Sequence, residues 1–144
     1  MVINSDALKA QIKNYKLNKD TAAEYHVQLF TLHPNFAKYY GADDIDPESL
    51  HKSQKFIMQG MSELQYFFRL VNSYGNAGEW RSALSNFKEH YNDCEIPLAK
   101  FNEVADALIA AMNKNAGGCT PEVKQSWTEL VNKGMEDMRT FGWV

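Results

Sequence analysis

Helical periodicity runs through every long segment of this chain, and no segment has the alternation typical of strands. The last segment, residues 121–141, carries apolar side chains every three or four positions: Val123, Trp127, Leu130, Val131 and Met138. Thr120 and Pro121 predict its start, since Thr caps helices and Pro suits the first turn. The chain is therefore expected to be all-α, with six to eight helices of unequal length.

Prolines and capping residues set the other expected boundaries. The pattern predicts further helices over 5–15, 19–32, 48 or 52 to 71, 81–90 and 97–114, with 72–80 as a loop. The second of these should stop at His33 because the residue before a proline avoids the helical region. Ser5 or Asp6 is the expected cap of the first helix.

Length and charge narrow the class of protein. A chain of 144 residues, 44% hydrophobic, can bury a core without a disulfide or metal, so we expect one domain over residues 1–144. The net charge of -3 and the absence of a basic block argue against nucleic acid as a partner. Cys94 and Cys119 have no zinc spacing and suggest free thiols in a reducing cell. We find no signal sequence or apolar run long enough for a membrane span, and expect a cytoplasmic protein.

The stretch FIMQGMSEL, residues 56–64, places Gln59, Gly60 and Glu63 inside a predicted helix. A glycine there costs about 1 kcal/mol relative to alanine. Gly60 begins an apolar stripe that continues through Leu64, Phe67 and Val71. We therefore expect Gly60 to let this helix cross the preceding helix closely, near Ala22.

His90 is the histidine with the most informative surroundings. It ends a predicted helix, and Ile96 and Pro97 follow just ahead of a long apolar segment. An imidazole near a helix C-terminus can bind iron through one ring nitrogen. Its other nitrogen then needs an acceptor one turn back, where Asn86 and Phe87 lie.

Four stretches together resemble the globin family. HYNDCEIP (90–97) resembles the proximal histidine and the corner after it, and LFTLHPNFAKYYG (29–41) resembles the end of the second helix and the turn that follows. KFIMQGMSEL (55–64) resembles the start of the distal helix, and EVKQSWTELVNKGMEDMRTFGW (122–143) resembles the final helix. They occur in the family's order across nearly the whole chain. The Gln59-Gly60 pair is most similar to nematode and other invertebrate globins.

The resemblance implies a globin fold around a haem b group. It implies His90 as the iron ligand and Gln59 above the ligand-binding side of the iron, with His26, Tyr40 and Glu63 also around the ligand. The residues expected to contact the haem are Phe56, Phe87, Ile96, Phe101 and Val104. Cys94 is expected near the haem edge.

The implied function is reversible O2 binding for storage or transport, with CO and NO as further ligands and a monomer or homodimer as the assembly. Gln59, Tyr40 and His26 can all donate hydrogen bonds, which predicts tight O2 binding. The chain is more an oxygen carrier than an enzyme on this interpretation. The alternatives are peroxidase-like or nitric oxide dioxygenase activity, and a six-coordinate haem sensor in which His26 binds the iron.

Glu63 departs from the family, which has a small apolar residue at this position. Three interpretations stay open from the sequence. Glu63 enters the pocket, or it lies sideways toward the haem edge or water, or the register is shifted by one so that Leu64 faces the iron. Similarly, Tyr40 can be a packing residue, and His26 can turn away into a hydrogen bond within the core.

Overall fold

The computed structural model describes residues 3–144, in which six α-helices and three 3-10 helices follow one another without a strand. The α-helices are α1 Ser5–Asn14, α2 Glu24–Leu32, α3 Gln54–Ser73, α4 Ala77–Asp93, α5 Ala105–Asn115 and α6 Pro121–Thr140. The 3-10 helices are Pro34–Tyr40, Pro47–Lys52 and Leu98–Val104. The all-α prediction is confirmed, and Thr120 caps α6 as expected.

The second helix begins later than predicted, at Glu24. The side chain of Asn18 accepts a hydrogen bond from the backbone of Asp20 at 2.8 Å, and Thr21 accepts one from the backbone of Asn18 at 2.9 Å. Such local bonds compete with helical ones, so residues 19–23 form turns. In α1 the cap is Asn4, which accepts from the backbone of Ala7, and not Ser5 or Asp6.

The connection between α3 and α4 is shorter than the predicted loop over 72–80. Asn76 caps α4 by accepting a hydrogen bond from the backbone of Glu79 at 3.1 Å, so the helix starts at Ala77 and not at residue 81. It also extends past His90 to Asp93. Ahead of α3, the 3-10 helix Pro47–Lys52 is separate, because Ser53 caps α3 anew.

Gly60 lies where α3 crosses the residues leading into α2. A side-chain carbon built on Gly60 would lie 1.8 Å from the carbonyl oxygen of Ala22, far inside van der Waals contact. The close approach expected from the sequence is confirmed. It brings the start of α2 against the middle of α3, and thereby sets His26 beside Glu63.

The core is rich in aromatic residues. Phe67, Phe87 and Phe101 are fully buried and join α3, α4 and the third 3-10 helix, with ring centroids of Phe67 and Phe87 4.7 Å apart. Close aromatic pairs of this kind add to the stability gained from burying their area. Within residues 3–144, no helix combines the length and apolar character that crossing a membrane requires.

Candidate functional site

His90 lies in the last turns of α4, and its side chain is 11% exposed. The carbonyl of His90 accepts a hydrogen bond from the backbone of Cys94, and Glu95 then adopts a left-handed backbone with φ of 57°. This reversal ends the helix and fixes the position of the ring. The thiol sulfur of Cys94 lies 4.0 Å from Nε2 of His90.

A groove of about 350 Å³ is lined by His90 of α4 and by residues of α3, Gln59 among them. Its other lining residues are Lys55, Met58, Ser62 and Tyr66. The amide of Gln59 is half-buried and makes no hydrogen bond to any described residue. The groove therefore offers one imidazole and one free amide that face the same space.

Four buried or nearly buried side chains meet at the inner end of this groove, and we call them the Glu63 cluster: His26, Tyr40, Glu63 and His90. Glu63 is 1% exposed. One of its carboxylate oxygens lies 2.5 Å from Nε2 of His26, and the other lies 3.0 Å from the hydroxyl of Tyr40 and 3.2 Å from Nε2 of His90. The cluster joins α2, the first 3-10 helix, α3 and α4.

The hydrogens of this cluster are already engaged by Glu63. A carboxylate only accepts hydrogen bonds, so Nε2 of His26 and the hydroxyl of Tyr40 both donate to it. A phenol has one hydrogen, and this one points at Glu63. The sequence predicted that both groups would donate to a bound ligand, but the hydroxyl of Tyr40 and Nε2 of His26 are engaged by Glu63, and Nδ1 of His26 is buried without a hydrogen-bond partner among the described residues. Gln59 is the predicted donor that lines the groove and makes no hydrogen bond to a described residue.

Electrostatics favour a charged carboxylate at Glu63 despite its burial. Burial alone would raise the pKa of Glu63, but the charge and hydrogen bond of His26, with the hydrogen bond of His90, lower that pKa to about 2. Burial alone would lower the pKa of His90, and the neighbouring Glu63 carboxylate raises it instead. Burial also raises the pKa of Tyr40 well above 10, so the phenol keeps its hydrogen.

The five residues expected to contact a haem are all buried, and none of them lines the groove: Phe56, Phe87, Ile96, Phe101 and Val104. Phe56 packs on the Glu63 cluster, with its ring centroid 5.5 Å from that of His26. Phe87 and Phe101 pack on each other, 4.9 Å apart, deeper in the core.

The groove is also lined by Met58, Ser62 and Tyr66, which the sequence pattern alone did not predict as site residues. They are spaced four residues apart on α3, so they lie on one helix face next to Gln59. This periodicity would have identified them once Gln59 was placed. Lys55 also lines the groove, and its ammonium group donates to the carbonyl of Tyr40 at 2.6 Å.

The fold and the groove define a class of protein. It is all-α, and two of its helices line one groove, to which one helix contributes an imidazole and the other an amide. A family model described as Globin matches residues 23–138, which is most of the chain. The chain therefore belongs to the globin family. Comparisons with curated proteins and with solved structures gave no match.

Globins typically bind haem, and they bind O2 and other gases at it. The residue types near His90 fit a haem, since an imidazole, an amide and the ring of Tyr66 line the groove, and Phe56 packs on the adjoining Glu63 cluster. The spacing at the inner end of the groove conflicts with one. If His90 were the iron ligand, a metal bond to Nε2 of about 2 Å and a van der Waals contact of about 3.5 Å beyond it would need about 5.5 Å between Nε2 and Glu63. The observed distance is 3.2 Å, so haem binding through His90 would require Glu63 and Tyr40 to withdraw from it.

Proposed function

We propose that this chain is a single globin domain, over residues 1–144, that binds O2 reversibly at haem b for storage or transport. In this proposal His90 binds the iron and Gln59 donates a hydrogen bond to the ligand. CO and NO are further ligands. The protein acts in the cytoplasm as a monomer or homodimer.

The observation that carries the proposal is the groove shared by Gln59 and His90. The family supplies the haem, and this groove is the place where an imidazole and an unpaired amide face each other. The haem iron supplies the position at which O2 binds. Phe56, Phe87, Ile96, Phe101 and Val104 are proposed to surround the ring, and the Gln59-Gly60 pair favours a relationship with nematode and other invertebrate globins.

Gln59 carries the prediction of tight O2 binding. Its amide is free to donate, whereas the hydrogens of His26 and Tyr40 point at Glu63. A net hydrogen bond is worth about 0.5–1.5 kcal/mol, which corresponds to a rate of O2 release up to roughly tenfold slower. Donation from Tyr40 or His26 would add to this effect once Glu63 releases them.

Haem addition followed by absorption spectroscopy tests the proposal. We expect a Soret band and, in the reduced protein, a five-coordinate spectrum that becomes that of an O2 complex in air. Gln59→Leu should speed O2 release up to about tenfold. Met58→Leu is the matched control, because Met58 lines the same groove without a donor.

Several outcomes would contradict the proposal. The absence of a Soret band after haem addition rejects haem binding. A six-coordinate reduced spectrum in the absence of gas favours a sensor, with His26 as the candidate sixth ligand. Autoxidation within seconds, or equal O2 release in wild type and Gln59→Leu, rejects an oxygen carrier that depends on Gln59.

Peroxidase-like activity is the second candidate, and the buried His26–Glu63 pair favours it. An acid and a base held 2.5 Å apart next to His90 could exchange a proton beside a haem bound there. Overall, hydrogen peroxide and two phenolic donors give two waters and two phenoxyl radicals. Turnover with peroxide and a phenol should then fall in Glu63→Val. Turnover unchanged by this substitution would reject the role of the pair, and the same variant tests nitric oxide dioxygenation when NO consumption is measured.

A further inference from the structure

Glu63 is the acceptor around which the inner end of the groove is closed. Its carboxylate has partners on three other elements, and the atoms that it joins belong to α2, the first 3-10 helix and α4. A buried carboxylate is costly unless its oxygens are hydrogen-bonded, and here both oxygens are. Both oxygens of Glu63 are therefore satisfied in this closed arrangement, whereas Nδ1 of His26 is buried without a hydrogen-bond partner within residues 3–144.

The same arrangement places a hydrogen on the wrong atom for metal binding. Nε2 of His90 lies 3.2 Å from both the carboxylate of Glu63 and the hydroxyl oxygen of Tyr40. Because the hydroxyl hydrogen points at Glu63, Nε2 of His90 is the donor to these oxygens. A metal needs a lone pair on that nitrogen. Glu63 thus blocks metal binding by His90 in two ways. Its carboxylate occupies the space next to Nε2, and its hydrogen bond keeps a hydrogen on that nitrogen.

We infer that Glu63 competes with haem iron for Nε2 of His90, so that it holds the haem-free protein closed and slows haem uptake. Glu63 acts here as a positioning residue through His90. The inference rests on the proposed role of His90 as the iron ligand, but the closed state itself can be measured without haem.

The first measurement uses haem-free protein and diethyl pyrocarbonate, which modifies accessible imidazoles, with His90 followed by mass spectrometry. Wild-type His90 should react slowly. In Glu63→Gln, which keeps the shape but loses the charge, it should react about tenfold faster, and in Glu63→Val faster still. Circular dichroism shows whether each variant is folded, and the isosteric Gln variant keeps the test decisive where Val is not.

Glu24→Gln is the matched control. Glu24 is equally buried, at 1% exposure, but its partners are Gln28, His51 and Lys114 and it does not touch His90. This variant should leave the reactivity of His90 within about twofold of wild type, well short of the effect of a lost charged hydrogen bond.

The second measurement is the rate of haem uptake in a stopped-flow instrument, followed at the Soret band. Uptake should be about tenfold faster in Glu63→Gln than in wild type or Glu24→Gln. If His90 reacts equally fast in wild type and Glu63→Val, or if uptake rates are equal in folded variants, the inference is overturned. If no variant takes up haem while the protection of His90 still depends on Glu63, the closed state is supported and the proposed oxygen-binding function fails.

Discussion

Glu24 and Glu63 are two carboxylates with the same exposure, 1%, but with different surroundings. Glu24 pairs at 3.0 Å with Lys114, whose side chain is 53% exposed, so its charge is balanced from the surface. Glu63 has partners that are all inside or nearly inside the protein. A buried charge balanced from solvent tolerates the loss of a partner, whereas one balanced internally depends on each partner. We therefore expect the stability of the protein to be more sensitive to the loss of a partner of Glu63 than to the loss of a partner of Glu24.

Gly60→Ala should have the largest effect on stability, and it should disturb the surroundings of Glu63. The new methyl group would lie 1.8 Å from the carbonyl oxygen of Ala22, and backbone cannot move aside as a side chain can. We expect α3 to move away from α2, which parts Glu63 from His26, at a cost of at least about 3 kcal/mol. Urea unfolding of the haem-free protein measures this loss.

Gly78→Ala is the control for the first prediction. Gly78 lies in the first turn of α4, and an added carbon would meet only the side chain of Asn76 at 3.8 Å. This variant should not lose stability, since alanine is favoured over glycine in a helix. An equal loss in both variants would contradict the role of the close crossing.

His26→Leu tests whether Glu63 depends on an internal partner. It leaves a buried carboxylate without its closest donor, and breaking a buried pair in this way costs about 3–5 kcal/mol. Lys114→Met removes the surface partner of Glu24 and should cost clearly less, because the side chain of Lys114 is 53% exposed and Glu24 keeps Gln28 and His51 as partners. Similar unfolding free energies for the two variants would remove the distinction between the two sites.

Acid unfolding should depend on Glu63. Its pKa is lowered from 4.5 to about 2, so its stabilising effect is complete above pH 4.5 and is lost as the pH falls toward 2. We expect the stability advantage of wild type over Glu63→Gln to shrink by about 3 kcal/mol over this range. Urea midpoints measured between pH 6 and pH 2 give the difference, and parallel curves would show that the carboxylate is not held in its charged form.

Tyr40→Phe should cause the smallest loss of unfolding free energy among the substitutions around Glu63. It removes one donor to Glu63 and costs about 1–2 kcal/mol of unfolding free energy. Tyr39→Phe is its control, since Tyr39 is in the same 3-10 helix and its hydroxyl makes no hydrogen bond to a described residue. A loss of equal size in both variants would indicate that ring packing, and not the bond to Glu63, sets the effect.

Helix positions were predictable from the sequence where local chemistry decides them. The start of α6 at Thr120-Pro121 was predicted correctly because capping is a local interaction. Asn76 is also a local capping signal, but the sequence pattern predicted the start of α4 four residues late. The predicted helix over residues 19–23 was wrong because Asn18 and Thr21 bond to nearby backbone.

The sequence by itself determined the all-α fold, the likeness to globins and the close approach at Gly60, because periodicity, motif order and the lack of a side chain are properties of the chain. It left three interpretations of Glu63 open. Only the tertiary structure decided that Glu63 turns inward and engages His26, Tyr40 and His90. The physical reason is that hydrogen-bond partners 23 and 37 residues away along the chain become neighbours only after the helices pack.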